Sequence, residues 1–202
     1  MRSVDNMVAV GDDLALAVFD HGPVDARPLV LAHGMTWDHR HFAPLIAELV
    51  AEGHRVVTYD ARGVGQSTRP VTDPAAHALA AQADDLAILL ATLGGPQPVI
   101  GGVSAGAAIS LEVARLGHPI SGLVQIAPGV GPNGVAPETR DYLAWMTACV
   151  GKGGWPALQD GIAASDQPAS AIADQLALAK VWESIFDVKS FVAMINGFPG
   201  SL

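Results

Sequence analysis

The chain has 202 residues, a length that suits one domain with a buried core. Half of the residues are apolar and only 15% are charged, which indicates a globular protein and excludes a disordered one. The formal net charge of −9 argues against a nucleic-acid partner, because such partners attract clustered Lys and Arg.

The cysteine content and the apolar runs of the sequence indicate the cellular compartment of the protein. The single cysteine, Cys149, excludes an internal disulfide and is compatible with a reducing cytoplasm. The first residues include acidic side chains and no apolar signal-peptide core. No uncharged apolar run is long enough to cross a bilayer. We therefore expect a soluble cytoplasmic protein with no membrane partner and an unassigned oligomeric state.

The predicted strands come early in the chain. Residues 7–10 and 14–19 alternate in polarity around Gly11-Asp12-Asp13, which predicts a β-hairpin. Short, continuous apolar runs follow, as expected for strands buried on both faces of a parallel sheet. They are residues 29–32, 55–59, 99–103 and 122–126.

Helical patterns alternate with these strands. Residues 42–52, 75–93 and 105–116 have apolar positions at helical spacing. Strand and helix in alternation predict right-handed crossovers and an α/β fold. The sequence therefore predicts a three-layer α/β/α sandwich around a mostly parallel sheet.

The pattern changes after residue 126. A Gly- and Pro-rich loop at 128–137 precedes a helical pattern from 138 to 191 that contains no buried-strand run. This stretch carries Trp145, Trp155 and Trp182, which either pack between helices or face a pocket. We expect a core at residues 1–128 and a helical lid at 129–202.

Residues 102–106 read Gly-Val-Ser-Ala-Gly, a G-x-S-x-G pattern between a predicted strand and a predicted helix. That context is typical of a nucleophile elbow, in which a strained turn exposes the serine. The small residues Gly102 and Gly106 allow strand and helix to approach each other. An ordinary buried serine in a βα turn is the alternative for Ser104.

A serine nucleophile needs a histidine base, which in this arrangement follows the serine in the chain. Of the seven histidines, only His118 follows Ser104. Its place between Gly117 and Pro119 puts it in the loop at the N-terminal edge of the sheet, whereas Ser104 projects from the C-terminal edge. We expect that His118 cannot reach Ser104.

Three separated segments together resemble the α/β-hydrolase superfamily. They are the strand and His-Gly loop at 29–35, the Asp-x-Arg-Gly-x-Gly-x-Ser segment at 60–67, and the elbow at 102–106. Their order and spacing are similar to those of the family, and the resemblance covers about residues 7–200. Val103 and Ala107 stand where the family often has histidine and glycine, and both changes are small.

The resemblance implies roles for individual residues. Ser104 would be the nucleophile, and the backbone N–H groups of Met35 and Ala105 would form the oxyanion hole. Gly34 would let the Met35 amide point inward, and Gly34, Trp145 and Trp182 would line the substrate pocket. The resemblance implies no cofactor and no metal.

Other polar residues in or near these segments are interpreted as structural rather than catalytic. The resemblance makes His33 a loop-ordering residue rather than a base. His39 and His41 form an H-x-H pair, which we interpret as surface or packing histidines rather than metal ligands. Asp60 and Arg62 are interpreted as a charged pair within their loop. The aspartates of the helical stretch follow no buried strand, so none is nominated as the acid of a triad.

The end of the chain departs from the family pattern. The family continues past its lid with a strand that ends in the catalytic Asp and a further strand before the catalytic His. This ending resembles a truncated reading frame, with the last strands of the sheet lacking. We expect an exposed edge at the sixth strand and marginal stability.

Two functions remain open from the sequence. The first is a serine hydrolase, impaired in this chain, that acts on a small uncharged ester, lactone or thioester. A serine at the elbow argues against the dehalogenase and epoxide hydrolase branches, which use a carboxylate nucleophile. The second is a non-catalytic module that binds a small molecule. A downstream coding sequence with Asp after a strand and then Gly-His would favour the first.

Overall fold

The N-terminal strands form the predicted hairpin. In the computed structural model, which describes residues 6–128 and 136–198, β1 (Asn6–Gly11) pairs antiparallel with β2 (Leu14–His21). The turn joins them with Gly11 opposite Leu14. The hairpin forms one edge of the sheet.

The remaining strands confirm the positions of the four predicted apolar runs to within two residues at each end. They are β3 (Pro28–Ala32), β4 (Arg55–Tyr59), β5 (Val99–Ser104) and β6 (Gly122–Pro128). The sheet order is β1-β2-β4-β3-β5-β6, with β2 antiparallel to β4 and all later pairs parallel. The carboxyl ends of β3, β4 and β5 therefore meet at one edge.

Helices cover both faces of this sheet. On one face, Phe42 at the start of α1 (Ala43–Ala51) packs with Leu31 and Val56. On the other, α2 (Leu79–Thr92) and α3 (Ala105–Arg115) contribute to a larger core with buried residues from four strands. These two cores confirm the three-layer α/β/α arrangement.

The predicted helix at 75–93 is divided in the structure. A 3-10 turn covers Pro74–His77, and α2 begins only at Leu79 because Ala78 has an extended ψ of 150°. The His77 imidazole hydrogen-bonds to the Val71 carbonyl at 3.0 Å, and the Gln82 amide donates to the His77 carbonyl. These side-chain bonds hold a break that helical periodicity alone does not reveal.

The later part of the chain is helical, as predicted. It contains α4 (Pro137–Ala163), α5 (Ala169–Ile185) and α6 (Val188–Gly197). α4 leaves helical geometry at Gly153 and Gly154, just before Pro156, whose missing N–H cannot support an unbroken helix. Most of the predicted loop at 128–137 lies outside the described residues. No helix within the described ranges is long and apolar enough to cross a membrane.

These helices build a second core. Met146, Leu158, Ile185 and Phe191 are at most 1% exposed within it. Met35 packs against both this core and the core of the sheet. The loop after β3 therefore lies where the two cores meet.

Strand β6 stands at the other edge of the sheet. Among the described strands it pairs only with β5, and its last five residues are exposed. Val124 and Ile126 are 41% and 37% exposed. The predicted exposed edge is present in the described part of the chain.

Candidate active site

Ser104 ends β5 and directly precedes α3, so the predicted strand-turn-helix context is confirmed. Its backbone has φ 53° and ψ −114°, a conformation that costs a non-glycine residue about 1–3 kcal/mol. The side chain does not cap α3. The turn therefore exposes a hydroxyl that the local helix does not use.

Two glycines make the tight turn sterically accessible. A Cβ on Gly102 would overlap the backbone of Gly106, and a Cβ on Gly106 would overlap the backbone carbonyl of Ala32. Strand β3, the turn and α3 are therefore in direct backbone contact. Side chains at these two positions would push α3 away from the sheet.

The loop after β3 lies against Ser104. A Cβ built on Gly34 would be 3.7 Å from the Ser104 Cβ. The Gly34 carbonyl accepts hydrogen bonds from the His33 imidazole at 2.8 Å and from the Trp37 N–H at 3.0 Å. In a trans peptide the carbonyl and the next N–H point in opposite directions, so the Met35 N–H points away from these two donors.

Ala105 begins α3, so its N–H has no acceptor within the helix. Met35 and Ala105 line the same cavity, together with Met194 and Phe198 from the C-terminal end of the described chain. The cavity volume is about 10 Å³, which is close to the minimum for one water molecule. The two residues expected to form an oxyanion hole thus share one small space.

His33 orders the loop, as predicted. Its Nε2 accepts the Ala61 N–H at 3.0 Å, so the proton lies on Nδ1, which donates to the Gly34 carbonyl. Burial lowers the pKa of His33 below 6.5 and favours this neutral form. With both ring nitrogens bonded to backbone, His33 has no lone pair for a proton from Ser104.

Asp60 is fully buried at the end of β4 and joins two loops. One carboxylate oxygen accepts the His39 N–H at 2.9 Å and the His39 Nδ1 proton at 2.7 Å, and the other accepts the Gln66 N–H at 2.8 Å. Burial alone would raise the pKa of Asp60, but these hydrogen bonds outweigh it and hold the pKa below 3.8. An ionised carboxylate only accepts, so His39 donates from Nδ1.

The predicted pairing of Asp60 with Arg62 is wrong. Arg62 instead forms a bidentate ion pair with Asp85 on α2, with Nε 2.7 Å from a carboxylate oxygen. Asp60 is satisfied by N–H groups, so it has no need of the guanidinium. Of the two interpretations for His39, the structure supports packing, since His39 is 5% exposed and its ring stacks on Phe19.

The side chains of Asp38, His39 and Asp60 place three potential metal ligands within 4.8 Å of one another. The Asp38 carboxylate already accepts the Arg40 N–H and the Arg40 guanidinium. Asp60 already accepts three N–H groups. Because donors occupy these oxygens, we do not assign a metal to this cluster.

No histidine hydrogen-bonds to Ser104 within residues 6–128 and 136–198, which include all seven histidines. His118 lines a cavity at the opposite edge of the sheet with Pro28 and Pro98, which confirms that it cannot reach Ser104. Sequence reasoning gave no role to Trp37, whose ring lies beside Gly34 and contacts His41. The spacing of four residues between Trp37 and His41 was the one sequence feature that could have indicated contact between their rings.

Trp145 and Trp182 stay predictions as pocket residues. The Trp145 ring stacks on Tyr142 and lies near Gly161, while Trp182 is 5% exposed and lies beside Phe191. The Trp145 contacts lie within α4, and the contact of Trp182 with Phe191 joins α5 to α6. Cavities of about 260 and 460 Å³ border neither Ser104 nor Gly34, so the site is located by backbone geometry rather than by cavity size.

Acidification is expected to destabilise the fold. Burial lowers the pKa of His33 and of His77 below 6.5, so the unfolded chain binds protons more readily than the folded chain. The free energy of unfolding should fall as pH drops through 6.5, by up to about 1.4 kcal/mol per pH unit for each histidine. Urea unfolding from pH 8 to 5 measures this loss.

The variant His77→Gln should have a shallower dependence on pH than the parent chain. The same substitution at exposed His54 is the control and should keep the parent's slope. A free energy of unfolding that stays constant from pH 8 to 5 would contradict the assignment of buried, neutral imidazoles.

Sequence comparison identifies relatives over much of the chain. A family model described as "Alpha/beta hydrolase family" matches residues 29–198. The "Putative carbamate hydrolase RutD" of Variovorax paradoxus is 31% identical over 132 residues, which cover 64% of this chain and 48% of that protein. The protein of the same name from Caulobacter sp. is 37% identical over 99 residues, 48% of this chain and 35% of that protein. The chain thus spans less than half of these curated relatives.

Solved structures share the fold. A carboxylesterase structure from the thaumarchaeon Nitrososphaera gargenis matches with a TM-score of 0.76 at 22% identity, over 95% of this chain and 72% of that one. The enol-lactonase from Burkholderia xenovorans LB400 matches with a TM-score of 0.68 at 22% identity, over 94% and 72%.

Proposed function

Since this chain belongs to the alpha/beta hydrolase family, we propose that it is a serine hydrolase that acts on a small uncharged ester, lactone or thioester. The observation that carries the proposal is the strained Ser104 turn, held against Gly34 at the carboxyl ends of β3 and β5. Strain of this kind persists where the surrounding structure enforces it, and it is concentrated at functional sites.

In the proposed reaction, the Ser104 hydroxyl attacks the carbonyl carbon of the substrate. The negative charge that develops on the carbonyl oxygen is stabilised by the N–H groups of Met35 and Ala105, aided by the positive end of the α3 dipole. The carbonyl re-forms as the alcohol or thiol leaves, and water then releases the acyl group from the serine. A base must accept the serine proton in the first step.

The described residues offer Ser104 no such base, so we propose that this chain is impaired. The proposal also treats residues 129–202 as a lid and assigns Gly34, Trp145 and Trp182 to the pocket. The helical stretch has no cluster of basic side chains for an anionic substrate. Two relatives carry names that specify carbamate hydrolysis, which adds carbamates to the classes to be tested.

The parent chain is expected to hydrolyse an activated short-chain ester, such as p-nitrophenyl acetate, slowly. Serine proteases that lack one triad member retain an acceleration of about 10³–10⁴ over water, from the oxyanion hole and binding. Ser104→Ala should lower the rate further, because it removes the attacking oxygen and leaves only the acceleration that the oxyanion hole and binding supply. Release of nitrophenolate measures both rates.

The matched control is Ser184→Ala, which removes an exposed serine hydroxyl of α5. It should keep the parent's rate. Equal rates in the parent and in Ser104→Ala would refute Ser104 as the nucleophile. Fast turnover that disappears in Ser104→Ala would instead show that a base exists within the chain, and would refute the impairment.

A further inference from the structure

A groove lies between β2 and α1, on the face of the sheet opposite to α2 and α3. Its volume is about 460 Å³, within the range of about 300–1,000 Å³ that is typical of small-molecule sites. It is bordered by residues of β2, of the 3-10 turn before α1 and of α1 itself, among them Phe19, His39, Arg40, Ala43, Ile46 and Ala47. Ser104 and Gly34 do not border this α1 groove, so it is separate from the proposed active site.

The α1 groove is open because α1 presents small side chains to β2. Ala43 and Ala47 are four residues apart, so their methyl groups lie on the same face of the helix. Both are exposed, and no residue of α1 is buried, whereas a helix that covers a sheet normally buries an apolar stripe. The packing of α1 therefore leaves space that longer side chains at these two positions would fill.

His39 is the buried polar residue of the α1 groove, with only 5% of its surface exposed. Its Nδ1 donates to the ionised Asp60 at 2.7 Å, and its ring stacks on Phe19 with the centroids 3.6 Å apart. These two contacts fix the position and the tilt of the imidazole. A ligand that bonds to a ring held in this way incurs little ordering cost.

The second ring nitrogen of His39, Nε2, is available to a ligand. No group within residues 6–128 and 136–198 hydrogen-bonds to it, and it is not among the fully buried polar atoms that lack a partner, so solvent reaches it. Because Asp60 accepts the Nδ1 proton, Nε2 of the neutral ring carries a lone pair. The α1 groove thus contains one fixed hydrogen-bond acceptor.

The charges beside the α1 groove favour a neutral ligand. The Arg40 guanidinium, which is paired with Asp38 at 2.7 Å, repels a cation from the groove. The ionised Asp60 lies directly behind His39 and repels an anion. The aliphatic lining, such as Ile46, suits a hydrocarbon group and penalises the burial of a charge.

We propose that the α1 groove binds a small neutral alcohol or phenol. The hydroxyl group of the ligand donates to the His39 Nε2, and its hydrocarbon part lies against Ala43, Ile46 and Ala47. This binding site does not involve Ser104 and is independent of the proposed hydrolase reaction.

The ligands p-fluorophenol and p-fluorotoluene test the site, because they differ only in OH against CH₃ and both carry a fluorine signal. The titration is made at pH 8, where free imidazole is neutral and a phenol keeps its proton. Fluorine NMR should show p-fluorophenol binding about tenfold more tightly, which corresponds to about 1.4 kcal/mol and to one net hydrogen bond. Tighter binding of p-fluorobenzoate or p-fluorobenzylamine would overturn the neutral ligand class.

A variant of α1 places the ligand in the groove. Ala47→Leu should weaken the binding of p-fluorophenol at least tenfold, because the larger side chain fills the space beside Ile46. Ala51→Leu, at an exposed position of the same helix outside the groove, is the matched control and should bind as the parent does. Equal binding by the Ala47→Leu and Ala51→Leu variants would overturn the location.

The role of His39 is tested by His39→Asn. The asparagine amide supplies an N–H near the Nδ1 position for Asp60 but has no atom in place of Nε2. The preference for p-fluorophenol over p-fluorotoluene should fall close to one, and a tenfold preference that survives would overturn the acceptor role.

A measurement on the parent chain decides if His39→Asn does not fold. The ¹⁵N signal of the His39 Nε2 should shift on titration with p-fluorophenol and stay in place with p-fluorotoluene, while the ring signals of exposed His54 stay in place with both. A His39 signal that does not respond to bound p-fluorophenol would overturn the hydrogen bond. Binding of neither ligand to the parent would overturn the site and leave the proposed hydrolase standing.

Discussion

Replacing Gly106 by alanine is expected to prevent stable folding of the chain. A Cβ at this position would overlap the backbone carbonyls of Ala32 and His33, which belong to β3 and the loop that follows it. Overpacked cores lose about 1–3 kcal/mol when flexible side chains can yield, but a strand backbone cannot yield in this way. We expect a loss above about 3 kcal/mol, a large part of the 5–15 kcal/mol typical of a whole domain.

Gly151→Ala provides a matched control, because Gly151 is an exposed glycine of α4 with open space where a Cβ would lie. Alanine there should raise the free energy of unfolding by up to about 1 kcal/mol, through its higher helix propensity. Urea unfolding followed by circular dichroism measures both variants. If Gly106→Ala unfolds at the same urea concentration as the parent chain, α3 can move away from β3, and the close approach is not required.

The fold was predictable because its determining signals are local. Buried strands such as 55–59 have no polar alternation, so their apolar runs locate the centre of the sheet. The elbow was predictable for the same reason, since Gly102, Ser104 and Gly106 are near neighbours in the chain. At this spacing, the two glycines allow the tight turn from a strand to a helix that exposes the serine between them.

The polar contacts that support the site were not predictable, because they join residues distant in sequence. Asp60 is close to Arg62 in the chain, yet its partner is His39, and Arg62 bonds to Asp85. Periodicity shows which side chains face a core, but it does not select one hydrogen-bond partner among several. The break at Ala78 was missed for a different reason, since it is held by local hydrogen bonds of His77 that helical periodicity does not reveal.

The placement of the later helices also depends on long-range bonds. The Val71 N–H donates to the Ser190 hydroxyl at 2.8 Å, and the Gly65 N–H donates to the Ile185 carbonyl at 2.8 Å. These two bonds attach α5 and α6 to the loop after β4. Tryptophan spacing alone therefore could not decide between packing and a pocket for Trp145 and Trp182.

Asp60→Asn is expected to lower the free energy of unfolding by about 3 kcal/mol at pH 7. Hydrogen bonds to a charged group contribute about 1.5–3 kcal/mol each, and the ionised carboxylate accepts three of them. An amide has the same shape but only one oxygen. If that oxygen faces His39, the NH₂ group opposes the Gln66 N–H, and the reverse orientation leaves both His39 donors unsatisfied.

Asp84→Asn, on the exposed face of α2, is the matched control and should change stability by less than about 0.5 kcal/mol. The pKa of Asp60 lies below 3.8, so its contribution is present at pH 7 and is lost as acid protonates the folded carboxyl. The parent and Asp60→Asn should therefore become more alike in strong acid. Equal stability of the parent and Asp60→Asn at pH 7 would contradict a buried, ionised Asp60 as the link between the two loops.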